Sequence, residues 1–307
     1  MAKVAIIGAA GRMGRLLVSN VIEHPGMTLA GALEHPACPF VGKDAAEVAG
    51  YPASGVLITA SLEEALKDAD AIIDFSVGGD TVAIATAAAA KGCAVVIGTT
   101  ALPAEAVQKI HDLADNGARI ILASNYSIGG NLLFYLSEIA AKVLDGFDIE
   151  IVEGHHNQKK DAPSGTAVTL AKTVCDAKGW NYDEVIRHGR EGITGARTDH
   201  EIGMHAGRGG DIVGDHTLMF CGNGERFELT HKASSRNTFA KGAVRAVAFL
   251  ETAKPGFYDM RDVVGLKLQR KQSCSYHLLM HFLSVPEAIC RKMQNLLQEW
   301  IIPKNWI

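Results

Sequence analysis

KVAIIGAAGRMG, residues 3–14, decides the fold. Val4, Ala5, Ile6 and Ile7 form an unbroken apolar run that stops at glycine, the pattern of a short strand buried on both faces of a parallel sheet. Gly8, Gly11 and Gly14 then open a helix. Their missing side chains let the backbone turn sharply and approach a pyrophosphate, which the unpaired N–H groups and positive dipole end of a helix N-terminus attract. The spacing is GxxGxxG, with Ala10 standing where the commoner GxGxxG loop has its second glycine, and Ala9, Arg12 and Met13 complete the loop. Glu34 closes the next apolar run, 20 positions after Gly14, where a carboxylate can accept the ribose hydroxyls of a dinucleotide. The strand, glycine turn, helix and second strand together predict a dinucleotide-binding unit.

Working outward, apolar runs recur at 29–33, 71–75, 94–97 and 120–123, each pair separated by enough chain for a helix. Helices are expected at 80–91, which is alanine-rich, and at 103–116, which opens with a proline in its first turn. This alternation predicts an α/β fold with a Rossmann-like, doubly wound parallel sheet. The pattern changes after Asn131, with a helix at 132–143, a strand at 148–153, a helix from Ser164, and glycine-rich sequence leading to runs at 211–221 and 226–232. The last two runs alternate in polarity around Gly222, Asn223 and Gly224, as in an antiparallel hairpin with one face solvated. The expected organisation is a first domain at 1–127, completed by 238–266 through a returning helix at 238–253, and a second α+β domain with a mixed or antiparallel sheet at 128–237.

Composition narrows the function classes. With 307 residues and 48% hydrophobic content the chain can bury two substantial cores. No stretch approaches the roughly 20 apolar residues of a membrane helix, and the N-terminus lacks a cleavage signal, so a cytoplasmic, soluble protein is expected. A formal charge of −4 offers no general field for nucleic acid. The six cysteines are scattered without zinc or dithiol spacing, so reduced thiols and no metal are expected. His277 and His281 sit four apart but lack the intervening acid of a metalloprotease helix. Residues 267–307, with an amphipathic stretch at 286–300, fit neither domain; a helical appendage at an oligomer surface and a segment foreign to the fold are both open readings.

Two later strand ends add polar groups at the side of the sheet where ligands of open α/β folds bind: Gly98, Thr99 and Thr100, then Ala123, Ser124, Asn125 and Tyr126. The second cluster of chemistry is EIVEGHHNQKKDAPSGTA, residues 150–167. His155, His156, Lys159 and Lys160 crowd after an apolar strand, and Pro163 and Ser164 are helix-start signals. The N–H groups of Gly165 and Thr166 would then form an anion site beside cationic side chains, a trap for carboxylates. Reduction of an unsaturated, nitrogen-bearing acid needs a proton donor, and His155 and Lys159 are candidates able to flank one ligand. Lys160 reads as solvated charge.

The 150–167 segment resembles the active-site stretch of the dihydrodipicolinate reductase family at Glu150, Glu153, His155, Lys159, Asp161, Pro163, Ser164, Gly165, Thr166 and Ala167. The resemblance extends to GAAGRMG at 8–14, IGTT at 97–100, SNYS at 124–127, the 209–217 stretch and THKASSR at 230–236, and spans residues 1 to about 266. It implies a first domain binding NADH or NADPH and a second that binds a small dicarboxylate and builds a homotetramer. It also implies reduction of 4-hydroxy-tetrahydrodipicolinate to tetrahydrodipicolinate, with loss of water, in lysine and diaminopimelate synthesis. His155 would be proton donor or acceptor, Lys159 a second donor, and His156, Gly165 and Thr166 holders of the substrate carboxylates. Lys232 and Arg236 are further carboxylate contacts by charge, with a capping or surface role equally open.

His35 replaces the arginine that some members carry beside the ribose-binding acid. A carboxylate repels the 2′-phosphate of NADP, and a histidine largely neutral near pH 7 offsets this little, so NADH should serve at least as well as NADPH. Two other readings use the same residues: a related amino-acid or sugar-acid dehydrogenase, and a dinucleotide sensor without turnover. The PSGT turn beside paired histidines argues against the first, and His155 with Lys159 beside an anion site against the second.

Overall fold

The computed structural model describes residues 1–76, 79–100 and 102–266. In chain order its elements are β1 (Ala2–Ile7), α1 (Arg12–Glu23), β2 (Met27–Leu33), α2 (Ala45–Val48), β3 (Ile58–Thr59), α3 (Leu62–Ala65), β4 (Ala71–Asp74), α4 (Thr81–Ala90), β5 (Ala94–Ile97), α5 (Ala104–Asp115) and β6 (Arg119–Leu122). They continue as α6 (Ile128–Val143), β7 (Asp148–His155), α7 (Gly165–Lys178), α8 (Tyr182–Val185), β8 (Ile186–His188), β9 (Ile202–Arg208), β10 (Gly214–Gly222), β11 (Glu225–Ala233), α9 (Asn237–Thr252), β12 (Gly256–Tyr258) and α10 (Met260–Val264).

The first sheet has the strand order β12-β6-β5-β4-β1-β2-β3, with every pairing parallel. Its short apolar runs are explained by the two cores they serve. Val4, Ile6, Ile73, Val96 and Ile121 face one core with residues of α1 and α9, while Ala5, Ile7, Ile72, Val95 and Ile120 face the other with residues of α4 and α5. A strand with apolar partners on both faces cannot alternate in polarity. α9 packs on α1 and across β4, β5 and β6. β12, a three-residue strand after it, extends the sheet beside β6.

The second sheet has the order β11-β10-β7-β9-β8 and is mixed: β10 runs antiparallel to both β11 and β7, whereas β7, β9 and β8 are mutually parallel. The hairpin expected around Gly222 to Gly224 is β10 with β11, although β10 starts at Gly214 rather than at 211. α6 and α7 cover one face, burying Leu133, Phe134, Leu170 and Val174 on Ile149, Ile151, Leu218 and Phe220. α6 begins at Ile128, four residues before the expected start, because Ser127 caps it by accepting from Gly130 N–H at 3.0 Å. The readings placed on residues 267–307, including the 286–300 stretch and His277 with His281, lie outside the described residues.

Candidate functional site

The glycine turn is built as a cradle. Gly8 takes φ +73°, a conformation that disfavours side chains. A Cβ on Gly14 would stand 2.0 Å from the Gly8 carbonyl oxygen, so the helix packs on the turn only because that atom is missing. Gly11 precedes α1 without a side-chain cap, and the amides of Arg12 and Met13 have no acceptor among the described residues, which leaves donors for an anion. Ala9 and Ala10 are buried, and Ala10 N–H donates to Glu34 Oε1 at 2.8 Å. Glu34 thus anchors the turn as well as closing β2. His35 is exposed, and its Nδ1 accepts from Ala37 N–H at 3.2 Å. The turn has the conformation, the free donors and the adjacent carboxylate that a nicotinamide dinucleotide requires.

A cavity of about 270 Å³ opens where the carboxyl ends of β5 and β6 meet the second sheet. From the first sheet's side it is lined by Met13, Phe75, Gly98, Thr100, Ser124, Asn125 and Tyr126, and from the second by His155, His156, Lys159, Thr166, His216 and Arg236 among others. Gly98 is required because a Cβ would come within 2.3 Å of the Phe75 ring. Thr99 turns inward, donating to the carbonyls of Ser76 and Asp74 at 3.2 and 3.5 Å, and Ala123 lies behind the lining, half-buried. Tyr126 is buried, with its hydroxyl donating to Ile97 O at 2.7 Å, so it braces the two strand ends together; burial holds that phenol well above its usual pKa. Ser124 Oγ lies 2.8 Å from Thr169 Oγ1, and Asn125 Nδ2 donates to Thr166 Oγ1 at 3.2 Å, tying the β6 loop to α7.

The second-sheet half centres on a carboxylate absent from the sequence-derived site. Glu153 is 1% exposed. Its Oε2 lies 2.6 Å from His155 Nδ1 and accepts from Arg208 Nη1 at 2.9 Å, while its Oε1 accepts from Arg208 Nη2 at 2.9 Å and from Ser164 N–H at 3.0 Å. Burial pushes this carboxyl up, but the donors from His155, Arg208 and Ser164 outweigh it and bring the pKa down to about 2. His155 is nearly buried, its ring edge-on to His216 with centroids 5.1 Å apart. Lys159 Nζ donates to both carboxylate oxygens of Asp161 at 2.9 Å. Burial lowers the pKa of His156, as do the positive charges of Arg236 and Arg12, which brings a cation of the glycine turn into the field of the second sheet's basic cluster.

Ser164 caps α7, accepting from Ala167 N–H at 3.2 Å, and the amides of Gly165 and Thr166 have no acceptor among the described residues. His155, His156, Lys159, Thr166 and Arg236 therefore converge on one cavity, whereas Lys232 does not line it: it is exposed between His231 and Ala233, the alternate strand positions that do. Lys160 is exposed. Sequence reasoning missed Arg208, His216, His231 and the role of Glu153. β9, which carries Arg208, hides in glycine-rich sequence. The nearest available signal was that Glu153 falls on the same alternation as the apolar Ile149 and Ile151 of its strand, the positions that point inward. Among the described residues Cys38, Cys93, Cys175 and Cys221 form no disulfide with one another, and no helix is long and apolar enough to cross a membrane.

Comparison with known proteins matches residues 2–126 to the family model for the dihydrodipicolinate reductase N-terminus and residues 129–264 to that for its C-terminus. A protein of Syntrophotalea carbinolica named 4-hydroxy-tetrahydrodipicolinate reductase is 48% identical over 268 residues, covering 87% of this chain and 100% of the relative. One of Magnetococcus marinus with the same name is 50% identical over 266 residues, 86% of this chain and 99% of the relative. Among solved structures, a dipicolinate-bound dihydrodipicolinate reductase from Paenisporosarcina sp. superimposes with a TM-score of 0.66 at 28% identity, covering 84% of this chain and 97% of that one. An amine dehydrogenase from Mycobacterium smegmatis, at 13% identity and a TM-score of 0.55 over 84% of this chain and 94% of its own, shares the fold alone. Two family models that together cover residues 2–126 and 129–264, and relatives matched over essentially their whole length, carry the conclusion that this chain belongs to the dihydrodipicolinate reductase family.

Proposed function

We propose that the protein reduces 4-hydroxy-tetrahydrodipicolinate to tetrahydrodipicolinate, using NADH or NADPH, in lysine and diaminopimelate synthesis in the cytoplasm. The observation that carries this reading is the cavity in which His155, His156, Lys159 and Arg236 face the loops after β5 and β6. The structural relative bound to dipicolinate, a flat ring with two carboxylates, supports a small dicarboxylate as the occupant.

The bound nicotinamide supplies two electrons and one hydrogen. The turn of Gly8 to Gly14 holds the pyrophosphate, and Glu34 the adenosine ribose. Gly98, Thr100, Ser124, Asn125 and Tyr126 line the wall where the nicotinamide would be held, with Thr99 and Ala123 supporting it from behind. His156, Arg236 and the amides of Gly165 and Thr166 bind carboxylates, so that the acid is oriented and the charge it brings is neutralised. One proton must be delivered as the substrate loses its hydroxyl as water; Lys159 carries one at Nζ, and His155 serves through its cavity-facing ring nitrogen, accepting a proton there when neutral and donating one only as the doubly protonated imidazolium. Phe75, Tyr126 and Phe239 give the cavity an apolar part of its lining.

A homotetramer assembled through the second sheet accompanies this reading. Val152 is 42% exposed on the sheet face opposite α6 and α7, and Phe227 is 45% exposed on the edge strand β11. Sedimentation velocity measures the assembly directly, and a monomer would remove this part. For the reaction, purified protein is mixed with freshly generated substrate and nicotinamide absorbance is followed. Oxidation of NADH or NADPH is expected; none with either cofactor would leave a sensor or another substrate. His155→Ala and Lys159→Ala should each lower kcat by about two to four orders of magnitude with cofactor affinity retained.

A further inference from the structure

We infer that Glu153 is a positioning residue: its carboxylate holds His155 in the tautomer protonated at Nδ1, so that the bare Nε2 is the nitrogen offered to the cavity. The inference deepens the proposed reaction and rests on it for the role of His155, but the tautomer itself is independent of any turnover.

The geometry allows few alternatives. Each oxygen of Glu153 serves two donors, with Arg208 gripping both, Ser164 N–H on Oε1 and His155 Nδ1 at 2.6 Å on Oε2. A carboxylate so surrounded accepts only, so the hydrogen of the short contact sits on His155 Nδ1. The opposite edge of the ring lies against Gly214, where a Cβ would approach Nε2 to 3.1 Å, and both residues line the cavity. The missing Cβ leaves Nε2 room for a ligand. Arg208 fixes the carboxylate in turn, since its Nη2 also donates to Asp161 O at 2.8 Å and its Nη1 to Gly207 O at 2.6 Å. The chain from Arg208 through Glu153 to His155 thus sets one ring orientation and one tautomer, which is how an outer carboxylate supports an acid–base histidine.

Glutamine cannot substitute. Every oxygen position faces donors, so an amide NH₂ must oppose either Arg208 and Ser164 N–H, or Arg208 and His155 Nδ1. In the second orientation the imidazole keeps a hydrogen bond only by moving its hydrogen to Nε2.

Long-range proton–nitrogen NMR of the full chain at pH 8, with the His155 signals assigned by their loss in His155→Gln, reads the tautomer directly. The expected spectrum shows Nδ1–H and a bare Nε2, and a predominant or averaged Nε2–H form overturns the inference whether or not the enzyme turns over the proposed substrate. Glu153→Gln should shift the ring toward Nε2–H and lower kcat on the order of 100-fold, with KM for cofactor and acid nearly unchanged. Glu153→Asp, which keeps the charge, should recover part of that loss. An unchanged tautomer in a folded Glu153→Gln with reduced kcat would make Glu153 merely structural, and absence of turnover in the parent with the expected tautomer would sink only the proposed reaction.

Discussion

Ser164 Oγ lies 2.9 Å from His216 Nε2, joining the start of α7 to the middle of the second sheet. Ser164 already accepts from Ala167 N–H, so its own hydroxyl hydrogen is available to donate to His216, whose Nδ1 is then a buried N–H without a partner among the described residues. Burial, then the positive potential of His155, brings the pKa of His216 from 6.5 down to about 3. A folded-state pKa below the unfolded one means that the unfolded chain binds more protons. Stability is therefore complete above pH 6.5 and is lost as pH falls toward 3. The lowered carboxyls of Glu150 and Glu153 enter only below their ordinary 4.5, which leaves the window from 4.5 to 6.5 to histidines. His216→Gln should flatten the decline there by up to about 1.4 kcal/mol per pH unit relative to the parent, measured by denaturant unfolding. The contribution of His231, also lowered by burial, cancels in the comparison. Parallel stability curves would mean that folded His216 takes up its proton.

Gly14→Ala places its Cβ 2.0 Å from Gly8 O and 2.7 Å from Ala9 Cα, all backbone that a rotamer change cannot clear. The turn must open or the helix shift, at a cost of about 1 to 3 kcal/mol or more. Reduced thermal stability and at least about tenfold weaker NADH binding are expected, since the pyrophosphate contacts depend on that turn. Gly209→Ala, with no atom within 4 Å of the built Cβ and no positive φ, is the control and should change neither measurement. Unchanged cofactor affinity in Gly14→Ala would move the pyrophosphate elsewhere.

The five inner strands of the first sheet were legible because their residues leave no polar face: Ile72 and Ile73 point into different cores and both are fully buried, whereas the edge strands β3 and β12, of two and three residues, are too short to show a pattern. The second was only half legible. β9 was missed because Gly203 and Gly207 read as breakers, whereas Gly203 is there for packing: a Cβ would fall 1.8 Å from Glu150 Oε2. The start of α6 was missed for the same reason, since Gly129 and Gly130 make room for His231 and Ser127. Local motifs located the glycine turn and His155 with Lys159, but Arg208 meets Glu153 across 55 positions and His216 meets Ser164 across 52, distances at which a motif carries no signal. Lys232 illustrates the converse: its charge suggested a ligand, while strand alternation put its neighbours His231 and Ala233 on the cavity instead.

Glu34→Gln tests cofactor choice. The amide oxygen can still accept from Ala10 N–H, as Glu34 Oε1 does at 2.8 Å, so the turn should keep its shape while the charge is lost. One unit charge near a partly exposed phosphate is worth on the order of 1 to 2 kcal/mol, so kcat/KM for NADPH relative to NADH should rise about five- to thirtyfold. The parent should use NADH at least as well as NADPH. Steady-state kinetics with both cofactors checks this, and a parent with a large preference for NADPH contradicts the reading of Glu34 and His35.

Asp161 separates positioning from stability at the other proton-bearing residue. Its carboxylate takes both hydrogen bonds from Lys159 Nζ at 2.9 Å, yet its side chain is 63% exposed. An ion pair with one partner so solvated contributes about 0 to 1 kcal/mol to folding, so Asp161→Asn should leave the unfolding midpoint nearly unchanged. Catalysis should respond more strongly, because the pair aims a flexible four-carbon side chain at the cavity that Lys159 lines. We expect kcat to fall about tenfold in Asp161→Asn, and Lys159→Ala to cost less in that background than alone, the coupling expected of residues acting through one contact. If the two losses simply multiply, Asp161 acts elsewhere than through Lys159, and the amine reaches its working position without it.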